Sequence, residues 1–150
     1  MRVFNGIDEV ASAVGTHLGT GAWRAVTRQQ VDLFADATDD HQWIHVDPVR
    51  AAAGPFGGPI AHGFLTLSLL TALVHGIYRV DGLSMAVNYG LNKVRFPAPV
   101  LVGSRVRAAV DLVALDRGAK GAQSTSRVTV EIEESTKPAC VAEWIGLLVP

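Results

Sequence analysis

Gly63-Phe64-Leu65-Thr66-Leu67-Ser68-Leu69-Leu70-Thr71-Ala72-Leu73-Val74 carries no charged side chain, so a helix made from it must be covered on most sides. Its polar members, with His62 just before it, and its length short of the roughly 18 residues of a membrane span argue for a buried central helix over 63–75. Beyond Asp81-Gly82 the pattern changes. Leu83 to Val94, Arg105 to Leu115, Ser126 to Glu133 and Val141 to Val149 read as four strands, broken by Pro97, Pro99, Gly103, Gly118 and Gly121. Val106, Ala108, Val110 and Leu112 fall on one face of their strand, as do Val128, Val130 and Ile132, the alternation of an antiparallel sheet with one packed and one wetter face. The packed face needs a partner layer, and the 63–75 helix supplies it. The expected fold is α+β, a curved antiparallel sheet wrapped around one long helix.

Upstream of the helix, Thr27-Arg28-Gln29-Gln30 has the capping-box pattern, so a helix starts there. Val31, Phe34, Ala35 and Ala37 carry it to Ala37 or Thr38, before Asp39 and Asp40 break the pattern. Asp47-Pro48 reads as an N-cap followed by proline in the first turn, opening a short helix through Ala53 that Gly54-Pro55 stops. The segment from Asp40 to that second helix reads as a loop.

The whole chain of 150 residues is the size of one domain, with 49% hydrophobic and 18% charged residues against the polar signature of disorder. Residues 1–150 are therefore expected to form a single domain. Thirteen basic and fourteen acidic residues balance to a net charge of -1 without a basic cluster, which argues against nucleic acid as a partner. Cys140 is the only cysteine, so neither a disulfide framework nor a thiolate metal cluster is expected. Met1 to Val10 has no apolar stretch of signal-peptide length, and the expected location is the cytoplasm.

Chemistry concentrates in Asp39-Asp40-His41-Gln42-Trp43-Ile44-His45-Val46-Asp47 and Gly57-Gly58-Pro59-Ile60-Ala61-His62-Gly63. A carboxylate and an imidazole at a helix-to-loop transition, as at Asp40 and His45, can converge on one water. His41 and His45 with Asp40 or Asp47 offer metal-ligand types too, but they share a face only if the segment is helical. No metal or other cofactor is expected. Asp39 reads as a solvated neighbour, His62 as shaping the start of the helix, and His17 and His75 as surface or core-edge residues.

The D-x(4)-H of Asp40 and His45, followed by Val46-Asp47-Pro48 and then Pro59-Ile60-Ala61-His62-Gly63, resembles the hydratase motif of MaoC-like (R)-specific enoyl-CoA hydratases. Lys93-Val94-Arg95-Phe96-Pro97-Ala98-Pro99-Val100-Leu101-Val102-Gly103 is similar to that family's R/K-x-x-F-x-x-P-V-x-x-G segment. The resemblance implies a hot-dog fold, a homodimer, and a thioester of CoA or acyl carrier protein as substrate. It implies reversible hydration of a trans-2-enoyl thioester to the (R)-3-hydroxyacyl thioester, in fatty acid metabolism. Carried over, Asp40 takes a proton from the catalytic water, while His45 holds that water and moves a proton at the α-carbon. Which donates and which accepts in each direction stays open. Gly63 corresponds to the glycine whose N–H meets the thioester carbonyl.

Two departures stand out, Gln42-Trp43 where the family often has Asn-Pro and Ser104 where it often has an acidic residue. They leave acyl length open. Two other functions share the fold. A thioesterase would place a carboxylate on or beside the central helix, and Phe64 to Val74 has none. A non-catalytic acyl-binding subunit should lack one of the pair, and both are present.

Overall fold

Period-two burial organises the C-terminal half. In a computed structural model describing residues 1–150, the strands predicted from alternation are long: β5 (Met85–Arg95), β6 (Arg105–Gly118), β7 (Gly121–Ile132) and β8 (Cys140–Val149), numbered after four shorter ones. Val106, Ala108, Val110 and Leu112 are buried on β6, and Ala122, Ser124, Ser126, Val128, Val130 and Ile132 on β7. The register places Val110 opposite Val128 and Ala108 opposite Val130, so the buried sets fall on one face. A bulge between Leu112 and Ala114 ends that phase, and Val113 turns to solvent. The other face is wetter, as expected, with Arg107 paired to Glu131 at 2.6 Å and Arg105 paired to Glu133.

The sheet runs β2-β6-β7-β8-β5, with β2 (His17–Thr20) and β3 (Arg24–Ala25) both on the outer edge of β6. Every pairing in it is antiparallel. A separate parallel ribbon joins β1 (Arg2–Asn5) to β4 (Tyr78–Asp81), and α1 (Ile7–Ser12) follows β1. Gly121 closes the β6–β7 hairpin at φ 136, where a Cβ would sit 2.1 Å from the Leu148 carbonyl oxygen. The sheet's pairing also gives His17 a carboxylate, Asp111 at 2.8 Å, that spacing alone could not reveal.

The central helix departs from expectation. It comprises α5 (Gly63–Ser68) and α6 (Leu70–Val74), parted at Leu69 rather than forming one long rod. The Ser68 hydroxyl donates to the Phe64 carbonyl at 2.7 Å, and that of Thr66 to the His62 carbonyl at 3.4 Å, back-bonding of the kind that weakens a helical ladder. Ladder bonds Leu69 N to Leu65 O and Leu73 N to Leu69 O still span the break. Leu65, Leu70, Leu73 and Val74 join β6, β7 and β8 in one 24-residue core, which gives the expected α+β layering. Cover is incomplete, however. Phe64, Ser68, Thr71 and Ala72 form an exposed stripe. No helix is long and apolar enough to cross a membrane.

The two N-terminal helix predictions hold. Helix α2 (Arg28–Thr38) begins with a complete Thr27–Gln30 capping box and ends with Asp39 in the left-handed conformation. Helix α4 (Pro48–Ala52) is capped by the Asp47 side chain, which accepts from Arg50 N at 2.9 Å. Between them, the expected loop contains one helical turn, α3 (Trp43–Val46).

Candidate active site

Two segments meet between α2 and α5. The first leaves α2 through left-handed Asp39, passes the exposed Asp40 and winds into α3, which carries His45 inward to 6% exposure. The second runs from Pro59 to Gly63 and is pinned on one side by Ile60 N donating to the Ile44 carbonyl at 2.9 Å. On its other side Ala61 N donates to Val100 O and Val102 N to Pro59 O. The Val100–Gly103 part of the sequence is thus the wall behind the 59–63 segment, which is why the separated motifs belong together.

His45 donates Nδ1–H to the Ile60 carbonyl at 2.7 Å. A carbonyl can only accept, so this ring nitrogen carries the proton and Nε2 keeps its lone pair. Burial, the largest influence, pushes the imidazole below the usual histidine range; the Ile60 carbonyl and Asp40 oppose this, and His62 and Arg28 reinforce it. A neutral ring with a free acceptor nitrogen is the result near neutral pH. Asp40, His45 and His62 each bring a nitrogen or carboxylate oxygen within 4.8 Å of the others'. Two acceptors, a carboxylate in solvent and a buried imidazole, can share one water between them.

His62, expected from the sequence to shape the start of the helix, also lies against His45. It stands at the N-cap of α5 without capping it, and its ring turns the other way. It is 2% exposed and stacks on His45 with centroids 3.8 Å apart and planes 25° apart. Its Nε2–H donates to the Asp40 carbonyl at 3.0 Å. The sole sequence signal was a polar ring between Ala61 and Gly63, positions that prove buried or half-buried. Asp40, His45 and His62 also have the residue types of a metal site. Their near-parallel rings, however, hold the free lone pairs in nearly parallel planes, whereas a single ion needs them to converge.

The other candidates are placed elsewhere. His41 faces away from His45, with Asp36 at 2.9 Å raising its basicity and Asp39 at 3.7 Å, so the His41–His45 ligand set is not brought together. Asp47 serves as a cap. Trp43 packs on Gly54 and under the Arg50 guanidinium, 4.4 Å from the ring centroid.

Gly63 opens α5 directly after His62, ahead of the first helical bond, Thr66 N to His62 O. Its N–H is one of the donors a helix start leaves unspent. A Cβ there would lie 3.1 Å from the Phe96 ring, so the bare backbone is what lets Phe96 close over it. One turn further along, a 230 Å³ cavity lies between Leu67, Ser68, Leu70, Thr71 and the β5 residues Asn88 to Leu91. An adjoining 150 Å³ space, which shares Thr71, Asn88 and Trp144 with it, reaches Tyr78, Ser124 and Ser126.

Residues 9–136 match the family model for the MaoC like domain. The chain is 60% identical over 146 residues to 3-hydroxyacyl-thioester dehydratase Z of Mycobacterium tuberculosis, covering 97% of each protein. It is 50% identical to nodulation protein N of Rhizobium leguminosarum bv. viciae, over 93% of this chain and 89% of that one. Among solved structures, the (R)-hydratase from A. caviae involved in PHA biosynthesis superimposes with a TM-score of 0.72 at 27% identity, covering 91% of this chain and 96% of that one.

Proposed function

Because the chain belongs to the MaoC-like domain family, we propose that this hot-dog enzyme reversibly hydrates trans-2-enoyl thioesters to (R)-3-hydroxyacyl thioesters in fatty acid metabolism, through Asp40, His45 and Gly63. The substrate is a thioester of CoA or acyl carrier protein. The observation that carries the site assignment is that an Asp40 carboxylate oxygen and a ring nitrogen of neutral His45 come within 4.8 Å of each other and of His62, the residue before the helix start at Gly63.

A water donating one hydrogen to Asp40 and the other to His45 Nε2 has its lone pairs free for the substrate's β-carbon. The C–O bond forms there as a water O–H bond breaks, its proton passing to the pair. The alkene electron pair moves to the thioester carbonyl, whose growing negative charge the Gly63 N–H meets at the positive end of α5. The pair then returns a proton to the α-carbon, completing net addition of H and OH. Dehydration runs the same steps backward, so each group must act as acid in one direction and base in the other. The cavity from Leu67 to Trp144 lies along the same helix and would take the acyl chain.

The test is hydration of crotonyl-CoA, followed at the enoyl absorbance, by wild type, Asp40→Asn and His45→Gln. We expect losses of about 100-fold or more in each variant, with folding unchanged. Full rate in both variants would remove the pair from the mechanism.

Residues 1–150 act as one domain in this reading, and a second copy of the chain completes the assembly. Strand β5 ends the sheet, and its outer edge is unpaired. Met85, Val87, Tyr89 and Leu91 stand exposed along it, and Phe64 and Phe96 are exposed beside Gly63. Phe64 and Phe96 set apolar surface beside Gly63, so a copy that covers this margin would also wall the substrate. The reading places the protein in the cytoplasm, which fractionation of the producing cells would check. Cys140 is buried, and burial pushes its thiol up to about 11, so little of it is thiolate near neutral pH.

A further inference from the structure

Two imidazoles brace two segments of chain by exchanging donors. His45, on the 40–46 segment, gives its Nδ1–H to the Ile60 carbonyl. His62, on the 59–63 segment, gives its Nε2–H back to the Asp40 carbonyl. The rings lie face to face between these bonds, and Phe34 of α2 backs His62 with centroids 5.0 Å apart. Asp40 is otherwise loosely held. It is exposed, it follows a left-handed residue, and its carboxylate receives only a long 3.4 Å contact from Gln42 N.

We propose that His62 is a positioning residue for the hydration, one that fixes the separation and orientation of Asp40 and His45 across the reacting water by clamping the Asp40 main chain and stacking on His45. This rests on the reading of Asp40 and His45 as the acid–base pair. His62 does not itself reach the substrate, because Nε2 is spent on Asp40 and Nδ1 is sealed from solvent with no partner. Its influence passes through the geometry of its neighbours. A displacement of about 1 Å at a reacting group can cost about 100-fold in rate, so a clamp of this kind is worth as much as many direct contacts.

Two substitutions separate the two halves of the clamp. His62→Phe keeps a flat ring between Phe34 and His45 but loses the donor, whereas His62→Gln keeps an N–H for the Asp40 carbonyl but loses the ring. With crotonyl-CoA, His62→Phe should lower kcat about 10- to 100-fold with KM within about twofold, and His62→Gln should recover part of the loss. In an Asp40→Asn background, adding His62→Phe should change the rate by less than about twofold, because its effect runs through Asp40. The wild-type protein provides a check that needs no variant to fold. Long-range nitrogen–proton spectra of 15N-labelled protein should show opposite tautomers, Nδ1–H at His45 and Nε2–H at His62.

Wild-type kcat in His62→Phe while Asp40→Asn and His45→Gln lose activity would overturn this proposal alone. So would an Nδ1–H tautomer at His62, or losses that simply multiply in the double variant. Full rate in Asp40→Asn and His45→Gln would overturn the pair and the clamp together.

Discussion

At the scale of single residues, burial of His45 has consequences for rate and stability alike. Its imidazole is pushed below the usual histidine range, chiefly by burial. An unfolded chain therefore takes up a proton at His45 near pH 6.5 while the folded one still resists. The stability this group contributes is present above about pH 6.5 and is lost as the pH falls through the lower folded value. Thermal melts from pH 7 down to 5 should fall more steeply for wild type than for His45→Gln; parallel slopes would contradict it. The acid limb of hydration should likewise lie below the ordinary histidine range, because protonated Nε2 cannot accept from water. Gly63→Ala tests the proposed donor to the thioester carbonyl. The added methyl meets Phe96 at 3.1 Å, and the displaced N–H should cost about 10- to 100-fold in kcat. If Phe96→Leu restores the rate in that background, crowding is the cause; if it does not, the carbonyl site itself has been blocked. The residues proposed to react, Asp40, His45 and Gly63, were legible in the sequence as types at a spacing. His62 was not, because its value depends on a stack and a carbonyl bond between segments that only the folded chain brings together.

At the scale of elements, legibility tracks how much of the signal is local. Thr27 and Gln30 announce α2 with a bond pattern spanning three residues, and the structure has both halves of it. Thr27→Ala should therefore cost about 0.5–2 kcal/mol, read by urea unfolding. The loss also loosens the helix whose far end presents Asp40. The four long strands declared themselves because their alternation matches a sheet with one dry face. β1, β2, β3 and β4 did not, since strands of two to four residues carry no period and take their partners from distant chain, as Arg2 does with Tyr78. The central helix was legible as apolar but not as interrupted at Leu69, because the Ser68 and Thr66 hydroxyls that turn on carbonyls one turn back beside the break leave no mark on the apolar pattern. Leu70, just past the break, is 3% exposed in the core. Leu70→Ala should cost about 2–5 kcal/mol, and a smaller loss would mean the interrupted helix relaxes into the space.

At the scale of the whole molecule, the chain leaves more apolar surface bare than its own helices can cover. The stripe of Phe64, Ser68, Thr71 and Ala72 and the β5 row from Met85 to Leu91 flank the same cavity. An apolar edge strand with unpaired backbone groups is a template for another chain, and a second copy offers the same edge in return. Closure by that copy would bury the exposed stripe and exclude water from the acyl cavity in one step. Tyr89→Lys sets a charge in the middle of the β5 edge, on the wall of the acyl cavity but away from Asp40, His45 and Gly63. It should shift sedimentation from dimer to monomer and lower crotonyl-CoA hydration in proportion to the monomer formed, with the circular dichroism of the fold retained. Activity that returns as protein concentration rises would tie the loss to association rather than to damage at the site. A fully active Tyr89→Lys monomer would show that one chain encloses its own substrate. Wild type that is monomeric and inactive until mixed with a different MaoC-like chain would make the covering partner a second protein rather than a second copy.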